Sequence, residues 1–136
     1  MHYPVLIELN ASKNVSTVDV PDLSRQYQFD GTNLDEIWTK LTYQVEQTIG
    51  EYLSMKERIP EPSPIHQLQK TKASGDGIWA LINISEDFFM DEVERVNITI
   101  SRKILALLDS HAKHSFKTRS AMIAHMALVY EDPNNR

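Results

Sequence analysis

The fold of the C-terminal part of this chain is decided by residues 95–100, which read Arg95-Val96-Asn97-Ile98-Thr99-Ile100. Polar and apolar side chains alternate here without interruption, which is typical of a β-strand with one buried face. The apolar face consists of Val96, Ile98 and Ile100, and the polar face consists of Arg95, Asn97 and Thr99. We therefore predict a short strand that turns three polar side chains away from a hydrophobic core.

Two amphipathic helices are predicted after this strand. Ser101 is placed to cap the first helix, whose apolar stripe is Ile104, Leu105, Leu107, Leu108 and Ala112. Thr118 is placed to cap the second helix, whose apolar stripe is Met122, Ile123, Met126, Ala127 and Tyr130. Residues 114–117 separate the two helices.

One strand and two helices in about 36 residues cannot bury enough surface to be stable alone. A single strand also leaves the hydrogen-bonding groups of both its edges unsatisfied. Pairing with the same strand of a second copy removes both problems, because it forms a two-stranded antiparallel ribbon over four helices. The pattern thus predicts an intertwined homodimer, and the alternative is an edge strand and helical hairpin within one larger domain.

The charge of the chain is divided unevenly. The net charge is −5, yet residues 95–130 carry six Lys or Arg against Asp109 alone, while residues 1–94 carry seven against sixteen Asp or Glu. Such asymmetry suggests two surfaces with different partners, the basic one suited to a polyanion. The alternative of a single larger domain does not explain why the basic residues cluster around the strand and the second helix.

A two-stranded ribbon fits the major groove of DNA, where its polar face can read the base edges. Arginine matches guanine, asparagine matches adenine, and threonine can bond a base or touch a thymine methyl group. The predicted base contacts are therefore Arg95, Asn97 and Thr99. The start of the second helix offers free N–H groups to phosphate, and the predicted phosphate contacts are Lys117, Thr118, Arg119 and Ser120.

Residues 1–85 predict a separate α+β unit. Strands are predicted over residues 3–9, 15–20, 26–30 and 78–84, and a helix of about twenty residues is predicted between the last two strands. Thr32 is placed to cap that helix, which should end by Arg58 because Pro60 cannot continue it. Trp38 and Trp79 are expected in the core. The acidic residues 86–94 predict a linker. Its apolar side chains Phe88, Phe89 and Met90 are expected to pack onto the protein's own modules, and the alternative is that they contact a partner protein.

The composition disfavours several classes of function. The chain has no cysteine, which excludes disulfide scaffolds, thiol catalysis and cysteine-based zinc sites. It has no apolar run long enough to span a membrane and no signal-peptide pattern, so we expect a cytoplasmic protein without a membrane partner. Neither the carboxylates near Asp19 and Asp22 nor the pair His111 and His114 has a further ligand at a fixed spacing. We expect no enzymatic activity, no cofactor and no metal.

Residues 95–130 resemble the ribbon-helix-helix repressors. The resemblance rests on the polar-apolar strand and on the Lys-Thr-Arg-Ser start of the last helix. That family usually has a glycine in the turn between its helices, whereas this chain has His114-Ser115-Phe116-Lys117.

The front part resembles the HicB antitoxins. The resemblance is carried by Tyr3-Pro4-Val5-Leu6-Ile7-Glu8, by Val20-Pro21-Asp22-Leu23, by Asp30-Gly31-Thr32 before the long helix, and by Pro60-Glu61-Pro62-Ser63. It implies a partial RNase H-like fold that binds and blocks HicA, a small basic RNase toxin, and a tail that represses the shared operon. An acidic front half suits a basic partner.

The two resemblances together imply three parts of the chain: a HicB-like toxin-binding domain (residues 1–85), an acidic linker (86–94) and a ribbon-helix-helix DNA-binding domain (95–131). The partners it implies are a HicA-type toxin, operator DNA and a second copy of the chain, while a tetramer through the front domains stays open. The alternative function is a stand-alone ribbon-helix-helix regulator whose front domain senses a small ligand.

Overall fold

The computed structural model of the protein describes residues 1–133. These residues form two compact units, which divide between Met90 and Asp91, and each is described by itself. The first unit contains four strands and two helices, in the order β1 (His2–Asn10), β2 (Val15–Val20), β3 (Arg25–Asp30), α1 (Leu34–Ser54), α2 (Ile65–Thr71) and β4 (Ile78–Asn83). The second unit contains two helices, α3 (Arg102–His114) and α4 (Arg119–Val129).

The four strands form one antiparallel sheet in the order β3-β2-β1-β4. The strands β1, β2 and β3 follow one another in the chain and pair as two successive hairpins. The strand β4 pairs with the other side of β1. Asn14 takes a left-handed conformation (φ 51°) in the turn between β1 and β2, as the Asn-rich turn sequence favours. β1 is therefore a central strand, and β3 and β4 are the two edges.

The helix α1 packs on one face of this sheet and closes the main core. Its side chains Ile37, Leu41, Val45 and Ile49 are fully or almost fully buried, and their helical spacing places them on one side. The strands contribute the alternate residues Tyr3, Val5, Ile7, Val18, Val20, Phe29 and Ile82. Trp38 is half-buried against this core, as expected. Trp79 is also half-buried, but it lies on the face of the sheet opposite to the main core, because its register partner Leu6 alternates with the core residues Val5 and Ile7. The expectation that Trp79 belongs to the main core is therefore wrong.

The second face of the sheet is partly covered by the chain that precedes β4. Lys72 forms an ion pair with Asp19 of β2, and a Cβ added at Gly77 would lie 2.7 Å from the Leu6 side chain and 2.8 Å from the Ser74 carbonyl oxygen. Leu6 is only 2% exposed as a result. A glycine is required at position 77 because any larger residue would push the connection off the sheet.

Two of the sequence motifs of the first unit are joined by hydrogen bonds. The Asp22 carboxylate accepts bonds from the Ser63 main-chain N–H at 2.9 Å and the Ser63 hydroxyl at 2.6 Å. The Tyr3 hydroxyl donates to the Pro60 carbonyl oxygen at 2.6 Å. These bonds hold the proline-rich loop after α1 against the sheet. Burial, followed by the charge of Asp22, raises the pKa of Tyr3 to about 12.

The helical boundaries correct two sequence predictions and confirm a third, that α1 ends before the prolines. The N-cap of α1 is Asn33 rather than Thr32, since the Asn33 side chain accepts bonds from the first-turn N–H groups. The helix ends at Ser54, before the prolines, because Lys56 takes a left-handed conformation (φ 56°) that terminates it. The polar connection after Pro60 contains the short helix α2, which was not predicted.

The acidic segment after β4 begins as part of the first unit. Residues Glu86–Phe89 form a single 3₁₀ turn capped by the Ser85 side chain. Phe88 and Phe89 pack against the core of this unit, and the Phe89 ring lies 6.5 Å from the Tyr3 ring. The expectation that Phe88 and Phe89 pack onto the protein itself is confirmed, whereas Met90 is 54% exposed.

Candidate nucleic-acid interface

Both predicted caps of the second unit are confirmed. The Ser101 hydroxyl accepts a bond from the Ile104 N–H at 3.3 Å, and the Thr118 hydroxyl accepts one from the Ala121 N–H at 3.1 Å. Each bond satisfies one of the N–H groups that a helix start leaves unpaired. The two helices therefore begin where the sequence places them.

The turn between α3 and α4 is built without glycine. Phe116 takes a left-handed conformation (φ 55°). The Lys117 N–H donates to the Ala112 carbonyl oxygen at 2.8 Å, and the Phe116 N–H donates to the Lys113 carbonyl oxygen at 3.2 Å. This pair of bonds is the Schellman arrangement that ends many helices, usually with glycine at the left-handed position. The Phe116 side chain is 98% exposed.

The main-chain N–H groups of Arg119 and Ser120 are directed out of the start of α4. The next N–H group, that of Ala121, donates to the Thr118 hydroxyl oxygen. Within residues 1–133, no atom accepts a hydrogen bond from the N–H groups of Arg119 and Ser120. Unpaired N–H groups at a helix start attract anions. The start of α4, flanked by the exposed Lys117, therefore has the chemistry of a phosphate site.

The guanidinium group of Arg119 is held by a carboxylate of the preceding helix. Its Nε and Nη2 atoms donate to the two oxygens of Asp109, each at 2.9 Å. These bonds hold the pKa of the Asp109 carboxyl below its ordinary value and raise the pKa of Arg119. The pairing of Asp109 was not predicted, although Asp109 is the one acidic residue between positions 95 and 130.

Residues Arg95, Asn97 and Thr99 lie in a segment with neither helix nor strand, between Met90 and Ser101. All three side chains are exposed. So are the apolar side chains between them, with Val96 70% and Ile98 63% exposed. A strand needs a partner, and the predicted partner is the same segment of a second copy, so a single chain does not test this prediction.

Two grooves lie beside this segment in the second unit. One is lined by Asn97, Arg119 and Ser120, together with Glu94 and several apolar side chains. In this groove Asn97, a predicted base contact, lies near Arg119 and Ser120, two predicted phosphate contacts. The other groove is almost entirely apolar, and its lining includes Ile98, Ile104, Leu107, Ile123 and Met126. Arg95, Thr99 and Lys117 line neither groove.

The apolar groove reflects an incomplete core. Among the described residues of the second unit, only Leu108, Ala112 and Met122 are buried. The larger apolar side chains of the strand segment and both helices are more than one-third exposed, namely Val96, Ile98, Ile104, Leu107, Ile123 and Met126. A unit with three buried side chains needs further burial to be stable.

The described parts of the two units contain neither a candidate metal centre nor a helix that could span a membrane. Within residues 1–133, no cluster of three or more His, Asp or Glu side chains is arranged to hold a metal ion. Asp19 and Asp22 are instead engaged by Lys72 and Ser63. No helix of the described chain is both long and apolar enough to cross a membrane.

Comparison with known proteins identifies related sequences and folds. The sequence model of one family, described as "HicB_like antitoxin of bacterial toxin-antitoxin system", matches residues 3–127. A search of curated proteins returned no match.

Three solved structures are similar in fold. The antitoxin HicB of Burkholderia pseudomallei is 22% identical, with 94% of each chain covered and a TM-score of 0.57. The antitoxin HicB3 is 21% identical, with 94% of this chain and 96% of that one covered and a TM-score of 0.52. A chain of a toxin-antitoxin complex from Streptococcus pneumoniae is 14% identical, with coverages of 93% and 96% and a TM-score of 0.49.

Proposed function

The chain belongs to the HicB-like antitoxin family of bacterial toxin-antitoxin systems, and on that premise we propose that it neutralises a HicA-type RNase toxin and represses its own operon. In this proposal the front unit, with a partial RNase H-like fold, binds the toxin, and the C-terminal unit binds operator DNA. The chain is a binding protein rather than an enzyme, and it acts in the cytoplasm without a cofactor. The boundaries we propose are residues 1–85, 86–94 and 95–131.

The observation that carries the toxin half of the proposal is the family match over residues 3–127. The charge of the front part supports it, because sixteen acidic against seven basic residues in positions 1–94 would attract a small basic protein and speed its association.

Co-expression tests this half directly. The protein encoded by the adjacent reading frame should be small and basic, should copurify with the full chain, and should be released as the salt concentration rises. The same protein expressed alone should stop growth and degrade RNA. Failure to copurify at low salt, with both proteins folded, would reject the toxin half and leave the DNA half standing.

The DNA half rests on the start of α4 and on the alternation of residues 95–100. The outward N–H groups of Arg119 and Ser120, with Lys117 and Thr118 beside them, suit a phosphate. When two copies of residues 95–100 pair as a ribbon, Val96, Ile98 and Ile100 close the apolar groove. Arg95, Asn97 and Thr99 then face the major groove and read the operator.

Two substitutions separate base reading from phosphate binding. Asn97→Ala should abolish the preference for the operator over unrelated DNA, since one good base contact supplies about 1–3 kcal/mol of discrimination. Lys117→Ala should weaken binding to all sequences and reduce the salt slope by about 1.

Gel shifts at several salt concentrations measure both effects. Lys13→Ala, which removes the same charge from the exposed turn between β1 and β2, is the control and should leave DNA binding unchanged. An Asn97→Ala protein that still prefers the operator would show that the ribbon assignment is wrong.

A stand-alone regulator with a ligand-sensing front domain is the second candidate. It predicts that no neighbouring frame encodes a small basic protein and that a small molecule changes the affinity for DNA.

A further inference from the structure

A histidine continues the exposed apolar side of α3. His111 follows Ile104 and Leu107 at helical spacing, and all three side chains are exposed in the single chain. The other side of α3 packs with Met122 of α4 and consists of Leu105, Leu108 and Ala112. His111 therefore stands on the side of α3 that has no packing partner within residues 1–133.

The apolar groove of the second unit places His111 among apolar side chains. Ile98 and Ile100 precede α3, Ile104 and Leu107 belong to α3, and Ile123 and Met126 belong to α4. Within residues 1–133, His111 is the only ionisable side chain that lines this groove. The other titratable or charged groups of these elements do not line it, namely Glu94, Arg95, Arg102, Lys103, Asp109, Lys113, His114, Arg119 and His125.

We propose that His111 makes the pairing of two C-terminal units depend on pH, so that they associate while both imidazole rings are neutral and separate when the rings are protonated. This inference rests on the proposed function, in which a second copy closes the apolar groove. Closing the groove removes the ring from water. Apolar surroundings disfavour a charged group far more than a neutral one, so protonation favours the separated chains and releases the operator.

Two other effects on a charge at His111 are common to both states. His111 lies in the last turn of α3, where the helix dipole favours a positive charge. His114 lies one turn further along the same helix and, when protonated, repels such a charge. Both effects act in the separated chains as well as in the pair, whereas the loss of water occurs only in the pair. Burial therefore decides the direction of the pH dependence.

The expected size of the effect follows from the number of protons involved. A free histidine is half protonated at about pH 6.5. If both rings must be neutral before the units pair, the dissociation constant should rise about 15-fold from pH 8 to pH 6. Pairing is then complete above about pH 7.5 and weakens as the pH falls through 6.5. This range lies above the isoelectric point of about 5.5, so the protein keeps a negative net charge.

Sedimentation of the full-length chain, with a fluorescent dye at its C-terminus, measures the dissociation constant over a dilution series at pH 8, 7 and 6. Urea is added where the wild type would otherwise stay paired at every concentration. Ile98→Asp, which places a carboxylate in the groove, gives the mass of the chain with separated C-terminal units. Wild type should approach this mass at a concentration about 15 times higher at pH 6 than at pH 8.

Three histidine variants assign the effect. His111→Gln stays neutral, so its dissociation constant should change less than about twofold between pH 8 and pH 6. His114→Gln is the matched control, since it makes the same change one turn away outside the groove, and it should keep the wild-type pH dependence. His111→Lys carries a charge at every pH in this range and should have the mass of the Ile98→Asp protein even at pH 8.

Two results would overturn the inference and leave the proposed function standing. One is a wild type that pairs equally tightly at pH 8 and pH 6 and still binds DNA. The other is a His111→Gln protein with the pH dependence of the wild type. A chain whose C-terminal units neither pair nor bind DNA at pH 8 would instead reject the DNA half of the proposed function.

Discussion

The Tyr3 hydroxyl group connects the first strand to the loop that follows α1. It donates to the Pro60 carbonyl oxygen, while the neighbouring Asp22 carboxylate holds Ser63 of the same loop. The Tyr3 side chain is completely buried, so its hydroxyl depends on the protein for a hydrogen-bond partner. Two short motifs far apart in sequence are thus explained by one set of hydrogen bonds.

Tyr3→Phe should destabilise the first unit by about 1–3 kcal/mol near pH 7, because it leaves the Pro60 carbonyl oxygen without its bond. The effect should depend on pH. The pKa of Tyr3 is raised from 10.0 to about 12, so its contribution is complete below pH 10 and is lost as the pH rises towards 12.

Urea unfolding of both proteins, followed by tryptophan fluorescence at several pH values, measures this difference. The advantage of the wild type should fall by up to about 1.4 kcal/mol per pH unit between the two pKa values. A difference that stays constant up to pH 12 would contradict the assignment.

If Arg119 contacts a DNA phosphate as proposed, the bonds from its guanidinium group to Asp109 limit that contact. Asp109→Asn removes the negative charge that engages two guanidinium N–H groups, and it also removes a charge that repels DNA. We expect tighter binding to all DNA sequences, a steeper salt dependence and a smaller preference for the operator. Gel shifts with operator and unrelated DNA measure these effects. Asp76→Asn, in an exposed turn of the first unit, is the matched control and should change none of them.

At the scale of elements, the turn between α3 and α4 shows that a local backbone requirement can be met by an unexpected residue. Phe116 adopts the conformation that glycine usually supplies (φ 55°), and a non-glycine residue there is strained by roughly 1 kcal/mol. The absence of glycine therefore raises the backbone strain of the turn, but both hydrogen bonds of the turn still form.

Phe116→Gly should accordingly give a more stable protein than Phe116→Ala, by about 1 kcal/mol, because only glycine relieves the left-handed strain. Both variants remove the phenyl ring, which is 98% exposed in the single chain. The loss of the ring therefore does not contribute to the difference between them. Thermal unfolding followed by circular dichroism gives the difference. Equal stability of the two variants would mean that the turn is not strained.

Elements with a strong periodic pattern were predictable from the sequence. The strand Val15–Val20 has the predicted bounds, and the helix α1 follows from apolar residues recurring at helical spacing. The helix α2 was not predicted, because it has seven residues and only Ile65 and Leu68 as a partly buried face. Asn33 rather than Thr32 caps α1, and both residue types are good caps, so side-chain geometry decides between them.

In the candidate site, features set by local sequence were predictable, whereas contacts between elements were not. The caps Ser101 and Thr118 follow from local sequence and are confirmed. The bond between Asp109 and Arg119 depends on how two helices meet, which residue spacing alone does not give. The strand predicted at residues 95–100 would pair with the same segment of a second chain, so it stays a prediction in a single copy.

At the scale of the whole molecule, the two units differ in how much of their apolar surface they bury. The first unit has a continuous core of thirteen buried side chains, whereas the described part of the second unit has three. We therefore expect the first unit to be stable within one chain and the second to gain its stability from association. Both tryptophans, Trp38 and Trp79, lie in the first unit, so fluorescence reports on that unit, whereas circular dichroism at helical wavelengths also reports on α3 and α4.

Ile98→Asp and Thr99→Asp place the same charge on opposite faces of the predicted ribbon. Ile98→Asp buries a carboxylate at the apolar groove, which is strongly unfavourable without a partner. It should halve the mass of the assembly and lower the helical signal of α3 and α4, while the fluorescence transition of the first unit persists. Thr99→Asp should keep both the native mass and the helical signal but abolish DNA binding, because its carboxylate faces the phosphates. If both substitutions dissociate the protein equally, the alternation of residues 95–100 does not describe a ribbon with one buried face.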